Sequence, residues 1–260
     1  MAYNKLQALT ANINAIELAI SGAPITDKGR HTLRQYSGFG GIKEVLQDPA
    51  QIKNAKIKHQ VQRLRNVLQD IDDSVMQSIK QSVLTSFYTP RFFVDTIANV
   101  LHDYMPHMQS FLDPCAGLGI FTQCATNNAS IEVAEKDIIT RFILRKLNIK
   151  AYPSYEDVPF ARSYDCIASN IPFGNVKVFD KDFAFADDVH RMCLGKLHTY
   201  FWVKAIDQLN EGGVVAFITS RGIADSEGNR YIREYLCKNG KLLCALRLPD
   251  LLFMEGSGVE

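Results

Sequence analysis

The sequence predicts an α/β domain, a doubly wound parallel sheet with helices on both faces, preceded by an all-helical segment. Three observations predict it. From Ser86 onward short apolar runs alternate with amphipathic ones, the pattern of strands covered by helices. Before that point apolar residues recur at helical spacing instead. The third is composition: 260 residues, 47% hydrophobic and 22% charged, are enough to close one core with an appendage and too apolar for a disordered chain.

The appendage is residues 1–85. Leu6, Leu9, Ile13, Ile16 and Ile20 make a first helix that stops at Ser21-Gly22-Ala23-Pro24. A second, short helix falls near 27–36. Ile52, Ile57, Val61, Leu64 and Leu68 line one side of a third at 51–69, with Lys and Arg opposite, and 72–84 forms a fourth. In the 86–260 domain, strands are expected near 110–113, 130–134, 148–152, 164–169, 213–219 and 241–248. Helices are expected near 90–104, 119–127, 138–147, 198–209 and 226–238.

No run of about 18 apolar residues exists, and Met1-Ala2-Tyr3-Asn4-Lys5 does not begin a secretory leader, so the chain reads as cytoplasmic with no membrane partner. Six cysteines without a CxxC pair give neither a disulfide framework nor a zinc site. His190 and Cys193 read as loop and core residues rather than metal ligands. Charge is uneven along the chain. Residues 28–65 hold nine Lys or Arg against Glu44 and Asp48, so that stretch is +7 and the remainder −6. A basic segment on a slightly acidic body suits a polyanionic partner; a solvated helix face is the plainer reading.

In a doubly wound sheet, ligands bind beyond the carboxyl ends of the strands. Four segments there carry chemistry. In Asp113-Pro114-Cys115-Ala116-Gly117-Leu118-Gly119 a strand runs into a tight turn, where Gly117 and Gly119 let a ligand approach the backbone. Thr122 stands where the dinucleotide fingerprint wants its third glycine, and Asp113 would repel a pyrophosphate but attract a cationic group. Glu135 ends the next strand, 22 residues after Asp113, at the place of an acid that accepts from both ribose hydroxyls. Ser169-Asn170-Ile171-Pro172-Phe173-Gly174 ends a later strand. Pro172 keeps Ile171 extended, so the Asn170 side-chain oxygen and the Ile171 carbonyl make adjacent acceptors for a planar amino group, with Phe173 as a stacking face. Finally, Thr89-Pro90 is a strong helix start whose exposed amides suit a carboxylate. Gly38-Phe39-Gly40-Gly41 with Lys43 is not a phosphate loop, because it lacks the Walker spacing and a preceding strand; close helix packing or a turn fits it better.

In this order, Phe87-Tyr88-Thr89-Pro90, the Asp113 turn, Glu135 and the Asn170 box resemble S-adenosylmethionine-dependent DNA adenine N6-methyltransferases of the gamma arrangement. The resemblance is nearest to the large methylase proteins of bacterial mobile elements, where Gln35–Gly41 and Arg247–Phe253 also look familiar, and it covers roughly 30–260. It implies a Rossmann-like methyltransferase sheet, S-adenosylmethionine as cofactor, and a flipped adenine of DNA as acceptor, as in restriction-modification. Asp113, Pro114, Gly117 and Gly119 would hold the methionine portion and Glu135 the ribose. Thr89 would close over the carboxylate, and the adenine would pack near Ile138 or the Tyr155-Glu156 loop. Asn170, Ile171, Pro172 and Phe173 would form the catalytic box.

Two departures stand out. Ile171 replaces the commoner Pro, which is tolerable because a backbone carbonyl is what the chemistry needs. This fold also ends in an antiparallel seventh strand inserted between the fifth and sixth, for which Pro249–Glu260 is too short, so a piece of a longer polypeptide with that strand missing is expected. The connection 174–197 reads either as a mobile lid or as a surface loop. An acceptor in RNA or a protein glutamine, or a non-catalytic module binding cofactor or DNA, stays open. A nicotinamide oxidoreductase fits worst, having no role for the Asn170 box.

Overall fold

The computed structural model describes residues 4–69, 71, 73–85, 89–172 and 174–249. The helices in chain order are α1 (Lys5–Ile20), α2 (Asp27–Arg34), α3 (Ala55–Leu68), α4 (Asp73–Thr85), α5 (Arg91–Tyr104), α6 (Ile138–Lys146), α7 (Lys181–Ala184), α8 (Asp188–Cys193), α9 (Leu197–Asp207), α10 (Gly222–Asp225) and α11 (Arg230–Asn239). The strands are β1 (Ser110–Asp113), β2 (Ser130–Ala134), β3 (Ala151–Tyr152), β4 (Tyr164–Asn170) and β5 (Leu209–Ile218). The chain packs as two units. One holds the described residues up to Arg91, Lys136–Ala151 and the last described residues from Leu248; the other holds Phe92–Glu135 and Tyr152–Arg247.

The first unit is helical. Leu9, Ile13 and Ile16 of α1 are buried, as are Leu33 of α2 and Val61, Leu64 and Leu68 of α3, and both α2 and α3 pack on α1. Buried Asn12 accepts from the Ser37 amide at 2.8 Å and donates to the Gly38 carbonyl. Gly38 and Gly41 take φ of 67° and 72°, Phe39 is buried, and the Gly41 amide donates to Val83 of α4. The glycine cluster is therefore a packing turn, as its sequence implies. Helix α6 joins this unit. Asp137 caps it by accepting from the Thr140 amide, Ser78 of α4 donates to the same carboxylate at 2.6 Å, and Lys146 donates to the Ser21 carbonyl.

In the sheet the order is β3-β2-β1-β4-β5, with β2–β1, β1–β4 and β4–β5 parallel. Asp165 pins the amino ends of three strands. Its carboxylate accepts from the Gln109 and Ser110 amides at the start of β1 and from the Asn210 side chain in β5, and these partners hold it below the ordinary carboxyl pKa although burial opposes them. Beside it β4 and β5 shift register, and only glycine fits at 213, where a Cβ would lie 2.9 Å from the Asn210 carbonyl oxygen. Above that pin, Leu112, Ile167, Tyr200, Phe201 and Val203 form the core with Tyr155 and Phe183.

Three expectations need correction. Residues 241–248 form no strand, and Leu242, Leu243 and Leu246 are exposed. A sixth strand would have paired with the seventh, and with no such strand among the described residues no ladder reaches it. Residues 119–127 hold one 3-10 turn, Ile120–Cys124, rather than a helix, because Gly119 enters it in the left-handed region and its carbonyl takes both the amide and the hydroxyl of Thr122. The connection 174–197 is no free lid in its middle: it carries α7 and α8, and Val178, Asp180 and Phe183 are buried. Among the described residues no helix is long and apolar enough to cross a membrane.

What anchors that connection is a buried ion pair. Lys204, 1% exposed, reaches Asp180 at 3.0 Å, the Tyr155 carbonyl at 2.9 Å and the Tyr200 hydroxyl at 3.1 Å, while Tyr200 donates to Asp180 at 2.6 Å. Burial works against the charge on Asp180, but the Tyr200 hydroxyl and the Lys204 ammonium outweigh it and hold the carboxyl below its ordinary pKa. Removing one member strands the other charge in the core, which costs about 3–5 kcal/mol. Lys204→Met is expected to lower the urea-unfolding free energy by that amount; a change under about 1 kcal/mol would show that the pair does not anchor the segment.

Candidate active site

Apolar Phe111 and Leu112 bury β1 in the middle of the sheet and carry Asp113 to its carboxyl end, fully buried. The register places Phe111 beside Cys166 and Leu112 beside Ile167, which brings the end of β4 alongside Asp113. Ser169 there donates to Asp113 Oδ1 at 2.7 Å, and the Cys115 amide donates to the same oxygen at 3.2 Å. Oδ2 is buried with no hydrogen-bond partner among the described residues. Burial pushes the Asp113 carboxyl up to about 7, against the pull of its two donors.

After Asp113 the turn is wired to the neighbouring strand. The Ala116 amide donates to Ala134 at 2.9 Å, and Gly119 closes the turn onto the Ala116 carbonyl at 2.7 Å. Gly117 and Gly119 take φ of 52° and 75°, where a Cβ would strain the backbone. The Gly117 amide donates to Glu135 Oε2 at 2.7 Å, and the Glu135 amide donates to the Tyr152 carbonyl at 3.0 Å. Burial and the negative charges of Glu135 and Asp113 raise the Cys115 thiol well above its ordinary pKa, which excludes a thiolate nucleophile here.

The structure thus brings Asp113, Pro114, Gly117, Gly119 and Glu135 to one edge of the sheet, with Asn170, Ile171 and Pro172 following Ser169 directly. Asn170 closes β4 half-buried, beside Ile218. Ile171 is buried and its amide donates to the Ile218 carbonyl, which fixes where its own carbonyl leaves the strand. Glu156 lies in a 3-10 turn, Tyr155–Asp157, just after β3. Thr89 is buried two residues before α5 begins, in the first unit, whereas the other described candidates belong to the second. Phe173, Phe87 and Tyr88 lie outside the described residues.

Sequence reading missed Ser169. The signal was a hydroxyl after the apolar run Cys166–Ala168 of β4, one position before the box. A cavity of about 470 Å³ lies elsewhere, lined by Phe160, Asp182, Phe183, His190, Asp207 and Tyr235 among others. His190 is held there between Asp187 at 2.6 Å and Asp207 at 2.9 Å, and Cys193 is buried in the core. Among the described residues no three His, Cys, Asp or Glu side chains form a metal-binding group.

Two buried carboxylates at adjacent strand ends, one with an oxygen unmatched, complement a ligand carrying both a cationic group and vicinal hydroxyls; a phosphate-bearing ligand would meet like charge. The family model for N-6 DNA methylases matches residues 125–259, just over half of the chain. The chain belongs to the N-6 DNA methylase family. The match includes Glu135 and the Asn170 box and begins after the glycine turn. Over 97% of its length this N-6 methylase chain is 23% identical to Defense against restriction protein B of Escherichia phage P1, of which it spans 10%. It is 27% identical to the Type II methyltransferase M.HincII of Haemophilus influenzae over 64% of this chain and 33% of that protein. The chain therefore spans a third or less of the length of these relatives. A Listeria monocytogenes protein assigned to the class I S-adenosylmethionine-dependent methyltransferases superposes with a TM-score of 0.51 at 13% identity, covering 90% of this chain and 79% of that one. At that identity the likeness shows the fold, a methyltransferase-type parallel sheet flanked by helices.

The Asp113 carboxyl has a consequence for stability. The unfolded chain releases this proton near the ordinary value of 3.8, while the fold keeps it until about 7, so the folded state binds more protons between those values and loses stability as pH rises through them. Asp113→Asn is expected to remove this component. The stability of wild type relative to the variant should fall between pH 5 and 7, by at most about 1.4 kcal/mol per pH unit, in urea titrations without ligand. Parallel pH profiles for the two proteins would refute the assignment.

Proposed function

We propose that this chain transfers a methyl group from S-adenosylmethionine to the exocyclic N6 of an adenine in DNA. The observation that carries the reading is the Ser169–Asp113 hydrogen bond, which locks the start of the Asn170 box to the strand end that bears the glycine turn. Membership of the N-6 DNA methylase family supports the acceptor.

In this reading Asp113, Pro114, Gly117 and Gly119 would hold the methionine portion, the unmatched Asp113 Oδ2 being suited to its ammonium. Glu135 would exchange the Gly117 amide for the ribose hydroxyls, and Glu156 would border the adenine. S-adenosylmethionine supplies a methyl group on a sulfonium sulfur. The target base leaves the duplex, and Phe173 stacks on it. Adenine N6 is a poor nucleophile because its lone pair is delocalised into the ring. When the Asn170 side-chain oxygen and the Ile171 carbonyl accept both amine hydrogens, the nitrogen becomes more pyramidal and its lone pair is freed. Held in this way, the nitrogen would be aligned to take the methyl group from the sulfonium, the pair of the S–C bond staying on sulfur, and would give its extra proton to water. Positioning and electrostatics are the main contributions, and no general base is required.

Radiolabelled methyl transfer from S-adenosylmethionine to DNA, RNA and protein tests the reading; label on adenine N6 of DNA is expected. Label only on RNA or on glutamine would replace the acceptor, and cofactor binding with no transfer to any of them would make the chain a binding module. Asn170→Ala is expected to lower transfer at least tenfold while calorimetry shows S-adenosylmethionine binding within about threefold of wild type. Undiminished turnover in that variant would remove the mechanism.

A further inference from the structure

Helix α3 breaks two rules that ordinary surface helices keep. Its sequence, AKIKHQVQRLRNVL from Ala55 to Leu68, contains no acid at all, whereas solvated helix faces mix both signs. Its lysines are also at the wrong end, although Arg63 and Arg65 are not. Lys53 directly precedes the cap residue Asn54, and Lys56 and Lys58 sit in and just after the first turn, where the helix dipole favours negative charge and disfavours positive. The amides at that end are already satisfied, since the Asn54 side chain accepts from Lys56 and Ile57, so the lysines do not serve the cap.

Nor do they serve the packing. The buried side of α3 is Ile57, Val61, Leu64 and Leu68, while Lys53, Lys56 and Lys58 are exposed and their ammonium groups have no ion pair or hydrogen bond among the described residues. Arg63, by contrast, is bound to Glu17 and Asn14 of α1, and Lys5 is paired with Glu44. Glu17 and Glu44 are thus spent on other cations and Asp48 on the Ala50 amide, and a local excess of positive charge is held on a helix about 21 Å long. Such a row complements a linear array of phosphates, and each contact gains affinity through counterion release.

We propose that the outward face of α3, with Lys53, Lys56 and Lys58, docks on the phosphate backbone of duplex DNA. The proposal rests on the DNA reading above and adds a second, sequence-independent contact surface to it.

The test uses the full chain with Lys53, Lys56 and Lys58 all changed to Gln, and fluorescence anisotropy with a labelled duplex across a salt series. The variant's slope of log affinity against log salt is expected to be shallower by about 3, with affinity at least tenfold weaker near 100 mM salt. Its thermal midpoint is expected to stay the same or rise, because unfavourable cations have left the helix start; a merely structural role would lower it. Equal slopes and affinities for variant and wild type would overturn the proposal while leaving the DNA reading intact. Weakened binding confined to a single-stranded RNA of the same length would also overturn it. Wild-type chain that binds no duplex at any salt would overturn both.

Discussion

A buried carboxylate with one oxygen unmatched is an unfavourable object, and the second unit is arranged around it. An unsatisfied buried acceptor costs about 1–3 kcal/mol, so Asp113 is tolerated only because the strand order surrounds it with donors that meet half of its demand. Ser169 on β4 and the Cys115 amide supply that half. The other oxygen is left without a donor among the described residues, and burial brings the carboxyl's proton affinity into the neutral range without abolishing the capacity to ionise.

The site is rigid because the sheet is pinned at both ends. Asp165 gathers the amino ends of β1, β4 and β5, and the Ser169–Asp113 and Gly117–Glu135 bonds tie the carboxyl ends. Between the pins the apolar core sets the spacing, and a one-residue slip would turn Asp113 and Ser169 to opposite faces. The chain that leaves the Asn170 box is then caught again at Asp180 by Lys204 and Tyr200. In the proposed mechanism, a box held on both flanks would lose little freedom when an acceptor arrives, the condition under which aligned carbonyl oxygens contribute most to a displacement.

Much of this was legible in the sequence, for reasons that differ residue by residue. Asp113 and Glu135 could be read because acids at the ends of apolar strands have few structural explanations. The glycine turn could be read because positive φ leaves a compositional mark. Ser169 could not, since its partner is 56 residues away and a lone hydroxyl in a strand has many partners to choose from. The Asp180–Lys204 pair was hidden in the same way, and its absence from the reading made 174–197 look loose. Residues 241–248 failed for the opposite reason: their composition is that of a strand, but a strand is defined by a neighbour, and pattern alone does not say whether one is there.

An acid in the core at Asp113 and cations at the start of α3 each run against a local rule. In the readings proposed above, each answers a demand from outside the fold. Their signs are opposite and so are their exposures. The buried negative site matches a small cationic ligand that is desolvated when bound, where a single charge counts heavily because the dielectric is low. The exposed positive row matches an extended polyanion, where each charge counts little and many must act together through released counterions. In the proposed readings a sulfonium donor and a nucleic acid call for these two kinds of site, the first at the end of a central strand, where charge is desolvated, and the second on a solvent-facing helix, where it is not.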